Sequence, residues 1–255
     1  MTELIRADLR LTELGLAPSR TAAQQYIAAG RVYLIEANQR IPLTKPSQKL
    51  LADALLEVEP HPADRFVSRG GLKLAGALSH ARLDVTGWRC LDVGISTGGF
   101  ADCLLQAGAT SVVGVEVGHG QLHPRLAADP RVQQFEGVNA RALDIAAIQA
   151  ANGGSGFDLA VADVSFISLT LVLPAFATLV IPGGQFLLLV KPQFEVGRGN
   201  IAKGGIVRDT ALYAEVRTKV ETAATELGLH CIDWFASPIE GGDGNREFFL
   251  QLTRP

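Results

Sequence analysis

Four charged residues stand where apolar segments end: Lys73, Asp163, Lys191 and Glu247. Asp163 closes the run Leu159-Ala-Val-Ala, Lys191 follows Phe186-Leu-Leu-Leu-Val, and Glu247 opens the last apolar segment after the glycine-rich stretch 237–245. Lys73 falls in the first turn of a helix expected after Gly70-Gly71, an unfavourable place for a cation beside a helix N-terminus. A lysine at the end of a buried strand pays a desolvation cost unless paired, and that cost is one way to make it a base. Any one of the four alone is more often structural, but four charges of alternating sign on one rim point to proton transfer.

The stretch Cys90-Leu-Asp-Val-Gly-Ile-Ser-Thr-Gly-Gly-Phe100 reads as a buried strand, a glycine turn and the start of a helix. Gly94, Gly98 and Gly99 let backbone approach a ligand. Gly-x-Ser-x-Gly is also the letter pattern of a nucleophile elbow, but His230 is the only late histidine to complete a triad. The spacing does not fit the Gly-x-Gly-x-x-Gly of dinucleotide enzymes. Asp92, two residues before the first glycine, suggests an S-adenosylmethionine loop instead. Glu116, some twenty residues on, is placed to accept ribose hydroxyls, and Asn139 after the third strand can meet an adenine or simply form a turn.

The elements that must carry these residues alternate. Strands are predicted over 89–93, 111–116, 132–135, 157–162, 185–190, 230–236 and 247–252, mostly with helical patterns between them. That order predicts an α/β fold, a doubly wound and mostly parallel seven-stranded Rossmann-like sheet with ligands beyond the strand ends. Before it, an amphipathic helix is expected over 4–16, a second over 20–29 capped by Ser19, and a strand from Val32 to Ile35, making a small α+β domain over residues 1–60. Pro60-His-Pro-Ala-Asp64 falls in an expected linker over 61–67, and the catalytic domain is expected over 68–255.

Composition narrows the class. With 47% apolar and 19% charged residues the chain is too apolar for disorder, and a net charge of −3 leaves any nucleic-acid contact to a local patch. The cations Arg6, Arg10, Arg20, Arg31, Arg40, Lys45 and Lys49, set against Glu3, Asp8, Glu13 and Glu36, give the first domain an expected basic excess of about three. Cys90, Cys103 and Cys231 are expected to be reduced core residues, and with no basic-then-apolar leader the chain is expected to be cytoplasmic. His119 and His123 have helical spacing but no evident third ligand, so no metal is expected.

Two resemblances rest on these residues. Arg6-x-Asp8-x-x-Leu11, Ser19-Arg20 and Gly30-Arg31-Val32 resemble the S4 RNA-binding domain over roughly the first 60 residues, which implies RNA contacts at Arg6, Arg10, Arg20 and Arg31. The ordered set Ser68-Arg-Gly-Gly-Leu-Lys73, Asp92 to Gly99, Val117-Gly-His-Gly-Gln-Leu122, Asp163-Val-Ser-Phe-Ile-Ser168, Val190 to Gly197 and Asn245-Arg-Glu-Phe-Phe249 resembles the TlyA family across essentially the whole chain. That family joins an S4 domain to an FtsJ-like ribose methyltransferase. The resemblance implies S-adenosylmethionine-dependent 2′-O-methylation of cytidine in ribosomal RNA, with ribosomal subunits as partners and no membrane. It makes Lys73, Asp163, Lys191 and Glu247 the catalytic tetrad. Lys191, neutral in a site shared with Lys73, is then the candidate base, with Asp163 orienting it and Glu247 holding Lys73 or the substrate ribose. The expected cofactor contacts are Asp92, Gly94, Ser96, Thr97, Gly98, Gly99, Phe100, Glu116, Asn139 and Asp163. Ile95 stands where relatives have a small residue and is expected to crowd the cofactor's methionine end; Glu116 replaces their aspartate. A non-catalytic RNA-binding protein and a membrane-active haemolysin are the alternative classes.

Overall fold

The computed structural model describes residues 4–37, 39–202, 204–242 and 244–255. The chain divides into two compact units, Met1–Asp64 and Arg65–Pro255.

In the first unit the order is β1 (Leu4–Arg6), α1 (Ala7–Glu13), α2 (Arg20–Ala28), β2 (Val32–Glu36), β3 (Gln39–Pro42), β4 (Lys49–Leu51) and β5 (Leu55–Val58). The helix expected from Leu4 begins only at Ala7, because Leu4–Arg6 find a partner strand and pair antiparallel with Lys49–Leu51. Helical spacing over so short a stretch does not outweigh a ladder of backbone hydrogen bonds. Ser19 caps α2 as expected, its Oγ accepting the Ala22 N–H at 3.2 Å. The β2–β3 hairpin closes with Glu36 opposite Gln39 and Ala37 at φ +47°, while Asn38 of that turn lies outside the described residues. Ala7, Leu11, Ala23, Ile27, Val32, Leu43 and Leu50 form the core of this unit. Pro62–Arg65, expected as extended linker, is a short 3-10 turn, and the Asp64 carboxylate accepts the His61 N–H at 2.9 Å and pairs with Arg31.

The second unit runs α3 (Gly70–Ala81), β6 (Arg89–Val93), α4 (Gly99–Gln106), β7 (Ser111–Val115), α5 (Pro124–Ala127), β8 (Val132–Phe135), α6 (Ile145–Ala151), β9 (Phe157–Ala162), α7 (Leu169–Phe176), β10 (Val180–Val190), α8 (Leu212–Glu226), β11 (His230–Ala236) and β12 (Phe248–Thr253). Its seven strands lie in the order β11-β12-β10-β9-β6-β7-β8. All neighbours are parallel except β12, which is antiparallel to both β10 and β11. Successive residues of each buried strand face opposite ways, so the sheet carries two apolar layers. Cys90, Val112, Val161 and Leu189 pack under Leu74 and Leu78 of α3 and Leu104 of α4. Leu91, Val113, Ala162 and Val190 pack under Val172 of α7 and Val216 and Val220 of α8.

Two sequence expectations change here. Strand β10 starts at Val180, five residues early, because a register shift between Val180 and Gln185 lets the Pro182-Gly183-Gly184 segment stay in the sheet. Only Cys90 and Cys103 are core residues; Cys231 is exposed on β11, which is an edge strand.

Candidate active site

The strand order sets the chemistry along one edge. Reading β12, β10, β9, β6 and β7 across the sheet gives Glu247 just before β12, Lys191 just after β10, Asp163 just after β9, the glycine loop after β6 and Glu116 just after β7. Val190 pairs with Phe248, so Lys191 and Glu247 are the next positions on neighbouring strands, roughly 5 Å apart in the sheet.

Two lysine–carboxylate pairs result. Lys191 Nζ lies 2.6 Å from Asp163 Oδ1 and donates to Ser165 Oγ at 2.8 Å. Lys73 Nζ, brought by the first turn of α3, lies 2.6 Å from Glu247 Oε2. The Lys73 and Glu247 side chains are both buried, which explains the cation at a helix N-terminus: it answers a carboxylate the sheet has already buried.

The glycine loop is shaped by its neighbours. Gly94 has φ +86°, and a Cβ there would lie 2.7 Å from the Asp163 carbonyl oxygen, so the loop and the strand carrying Asp163 touch through backbone. Asp92 is wholly buried with both carboxylate oxygens unpartnered. Burial first, and the nearby Asp163 carboxylate second, push Asp92 up to about 8, with the Ala101 N–H opposing the rise. A buried carboxyl with no side-chain partner, beside a turn bracketed by glycines, fits a cationic ligand group such as an ammonium or sulfonium.

Glu116 is buried and already holds the loop, Oε2 accepting the Ser96 N–H at 3.0 Å and Oε1 the Gly118 N–H at 2.8 Å. Carboxylate oxygens have lone pairs to spare, so the acid closes the loop while still offering acceptors to a ribose. Ser96 sits at φ +47° and its Oγ donates to Gln121 Oε1 at 3.0 Å. Its partner is an amide and not a base, which removes the nucleophile-elbow reading.

Three side chains around the loop are engaged with the protein itself. The Phe100 ring is in the core, stacked on Phe249 at 6.2 Å between centroids, and leaves only its backbone N–H for a ligand. Asn139 makes a turn, its Oδ1 accepting the Arg141 N–H at 3.0 Å, and retains the amide hydrogens as donors. Ile95 is buried in the core cluster with Phe100 and Leu104 of α4, and a Cβ on Gly114 would come within 3.0 Å of Ile95 Cβ. The glycine in β7 makes room for the larger residue.

Thr97 is exposed at the loop tip, where its carbonyl accepts the His123 N–H at 3.2 Å; Gly98, at φ +91°, and Gly99 are buried behind it. No group of three metal-ligating side chains exists among the described residues.

Sequence reasoning passed over three residues at this edge. Glu195, buried four residues after Lys191, accepts from Ser168 Oγ at 2.6 Å, the Leu169 N–H at 2.7 Å and Lys219 Nζ at 2.8 Å. Phe166 is 91% exposed with φ +64°, its ring 5.2 Å from that of Phe194. A bulky residue at positive φ stores strain that functional loops often carry. Asn245 is buried and clasps the backbone of another loop, accepting the Val207 N–H at 3.0 Å and donating to the Gly205 carbonyl at 2.9 Å. An acid and an amide inside otherwise apolar or glycine-rich runs were the available signals.

In the first unit, Arg6 and Arg20 both bind Asp8, Arg10 lies 3.5 Å from Glu13, and Arg31 binds the Glu59 carbonyl and Asp64 and sits 4.6 Å over the Tyr26 ring. The expected basic excess does not survive a full count. Asp53, Glu57, Glu59 and Asp64 bring the acids of Met1–Asp64 to eight against seven Lys and Arg. Any phosphate contact here must come from how individual guanidiniums are presented, not from bulk charge.

The FtsJ-like methyltransferase family model matches residues 66–254. The chain is 44% identical over 252 residues to the 16S/23S rRNA (cytidine-2′-O)-methyltransferase TlyA of Mycobacterium tuberculosis, covering 99% of this chain and 91% of that one. Among solved structures it is similar to a protein of Streptococcus thermophilus titled a hemolysin, at TM-score 0.75 and 38% identity, covering 100% of this chain and 90% of that one. It shares its fold with an S-adenosylmethionine-dependent methyltransferase of Listeria monocytogenes, at TM-score 0.52 and 13% identity over 71% of this chain and 99% of that one.

Proposed function

This chain belongs to the TlyA family of FtsJ-like methyltransferases, and from that premise we propose that Lys73, Asp163, Lys191 and Glu247 carry out its reaction, with Lys191 as the base. The chain is an S-adenosylmethionine-dependent ribosomal RNA (cytidine-2′-O)-methyltransferase. S-adenosylmethionine, when bound, supplies an electrophilic methyl group on sulfonium sulfur. Asp92, the turn from Gly94 through Ser96, Thr97, Gly98 and Gly99 to the Phe100 N–H, Glu116 and Asn139 are the groups that would hold it.

The observation that carries the assignment is the pair of lysine–carboxylate contacts on neighbouring strand ends, beside the glycine loop. A ribose 2′-hydroxyl is a weak acid and must lose its proton as it becomes a nucleophile. Lys191 Nζ is the acceptor of that proton, and Asp163 together with Ser165 fixes the direction of the amine. Lys73, held by Glu247, then offers an ammonium to the developing alkoxide. Fixed placement of the acceptor oxygen against the methyl supplies much of the remaining rate.

The substrate side is read from the same rim. Phe166 presents an apolar ring to solvent three residues beyond Asp163, a surface on which an unstacked base can rest. The S4-like first unit supplies further RNA contacts through Arg6, Arg10, Arg20 and Arg31, and ribosomal subunits in the cytoplasm are the natural form of the substrate. No helix among the described residues is long and apolar enough to cross a membrane.

Transfer of labelled methyl to ribosomal subunits, followed by mapping of the modified nucleotide, tests the reading. Lys191→Ala is expected to lower transfer by about 100-fold or more while calorimetry still detects S-adenosylmethionine binding. Wild-type turnover in that variant removes Lys191 from the role, and a methyl group found on a base instead of a ribose removes the reaction.

A further inference from the structure

Asp8 lies in the first turn of α1 and its side chain is 0% exposed, yet its carboxylate receives five donors. Arg6 binds in a bidentate fork, Nε to Oδ1 and Nη2 to Oδ2, both at 2.9 Å. Arg20, from the start of α2, donates Nε to Oδ2 at 3.0 Å, and Gln24, one turn on, donates Nε2 to the same oxygen at 2.9 Å. The Leu9 N–H completes the set at 3.0 Å. The hydrogen bond from Arg6, with those from Gln24 and Arg20, holds this carboxyl well below the usual carboxylate range against the cost of burial.

What matters is the part of each guanidinium left over. A guanidinium has five N–H donors in a fixed plane. Arg6 commits two of them to Asp8 and Arg20 commits one, while the two side chains remain 38% and 51% exposed. Because both bind Oδ2, the bound nitrogens are held within about 6 Å of each other, close enough for one phosphate to engage both groups. Two flexible side chains, one from the end of β1 and one from the start of α2, would otherwise have to be ordered at the moment of binding.

We infer that Asp8 is a positioning residue for RNA binding: it aligns Arg6 and Arg20 into one two-guanidinium fork for a backbone phosphate. The inference rests on the reading that the first unit contacts RNA. It runs against simple charge arithmetic, since a carboxylate beside two arginines lowers the local positive potential. The two views therefore differ in sign. If Asp8 only competes with phosphate for the arginines, neutralising it strengthens RNA binding; if it aligns them, neutralising it weakens binding.

The experiment measures binding of the full chain to purified ribosomes and to a fluorescently labelled random oligoribonucleotide across a salt series, with thermal unfolding recorded alongside. Asp8→Asn is expected to weaken binding about five- to tenfold and to flatten the salt slope by about one phosphate contact, although the chain has gained a positive charge. Unchanged or tighter binding overturns the inference. Should Asp8→Asn fail to fold, Gln24→Leu decides, because it loosens Asp8 without altering any charge. Weaker binding in that variant supports positioning, and wild-type binding and slope refute it. Arg6→Ala and Arg20→Ala test the underlying reading separately: if neither changes affinity or slope, these two arginines do not contact RNA and Asp8 has nothing to position.

Discussion

A single carboxyl, Asp92, ties the stability of the folded chain to pH. The folded chain holds this proton up to about 8, whereas an unfolded chain releases it near the ordinary value of 3.8. Between those values the native state binds more protons than the unfolded one, so this residue's contribution to stability is undiminished below about pH 4 and falls as pH rises toward 8. Asp92→Asn is expected to abolish that decline: melting temperatures measured from pH 5 to 8 should fall less steeply in the variant than in the parent. The same substitution should weaken S-adenosylmethionine binding, since a carboxyl can give up its proton to pair with a cation and an amide cannot. An identical pH slope in both proteins would show that Asp92 is ionised in the native state. Ile95 carries the opposite lesson, because a residue suspicious by its bulk is accommodated by the absence of a side chain at Gly114.

Among the elements, the loop after β9 and the turn after β10 carry the two members of the Lys191–Asp163 pair, and Glu195 fastens one to the other. Its bonds to Ser168 and the Leu169 N–H secure the start of α7, and Lys219 reaches it from α8. Glu195→Gln keeps the shape but weakens all three bonds, and is expected to cost about 2 kcal/mol of stability and to lower kcat more than it raises KM. Urea unfolding and steady-state kinetics measure the two effects; a loss confined to stability would leave Glu195 without influence on the pair. The strands themselves were legible in the sequence. Four of the seven, 89–93, 132–135, 157–162 and 230–236, have the expected bounds; for 89–93 and 157–162 the reason is that buried parallel strands are written as apolar runs bounded by glycine and polar residues. Asp163, Lys191 and Glu247 were legible for the same reason, each being a charge where such a run stops or starts, whereas Lys73 was marked by its place in the first turn of a helix. What could not be read is partnership across the chain. Glu195 meets Ser168 and Lys219 from 27 and 24 residues away, Asn245 meets Gly205 from 40, and Leu4–Arg6 leave their helix for Lys49–Leu51. Local spacing carries no record of those meetings.

At the scale of the molecule, the chain folds as two compact units, and the part proposed for the first has its own test. A chain lacking Met1–Asp64 is expected to bind S-adenosylmethionine as the full chain does, yet to need at least about tenfold more ribosomes for half-maximal methyl transfer. Equal KM values for ribosomes would deny the first unit a part in substrate capture. The larger unit also has an order of assembly built into it. Strand β12 comes last in the sequence but sits between β10 and β11, and it delivers Glu247 to Lys73. During synthesis the sheet therefore keeps a gap beside β10 until β12 follows and pairs there. The strand that fills this gap also brings in the last charge of the rim, so the four charges cannot meet before β12 has paired.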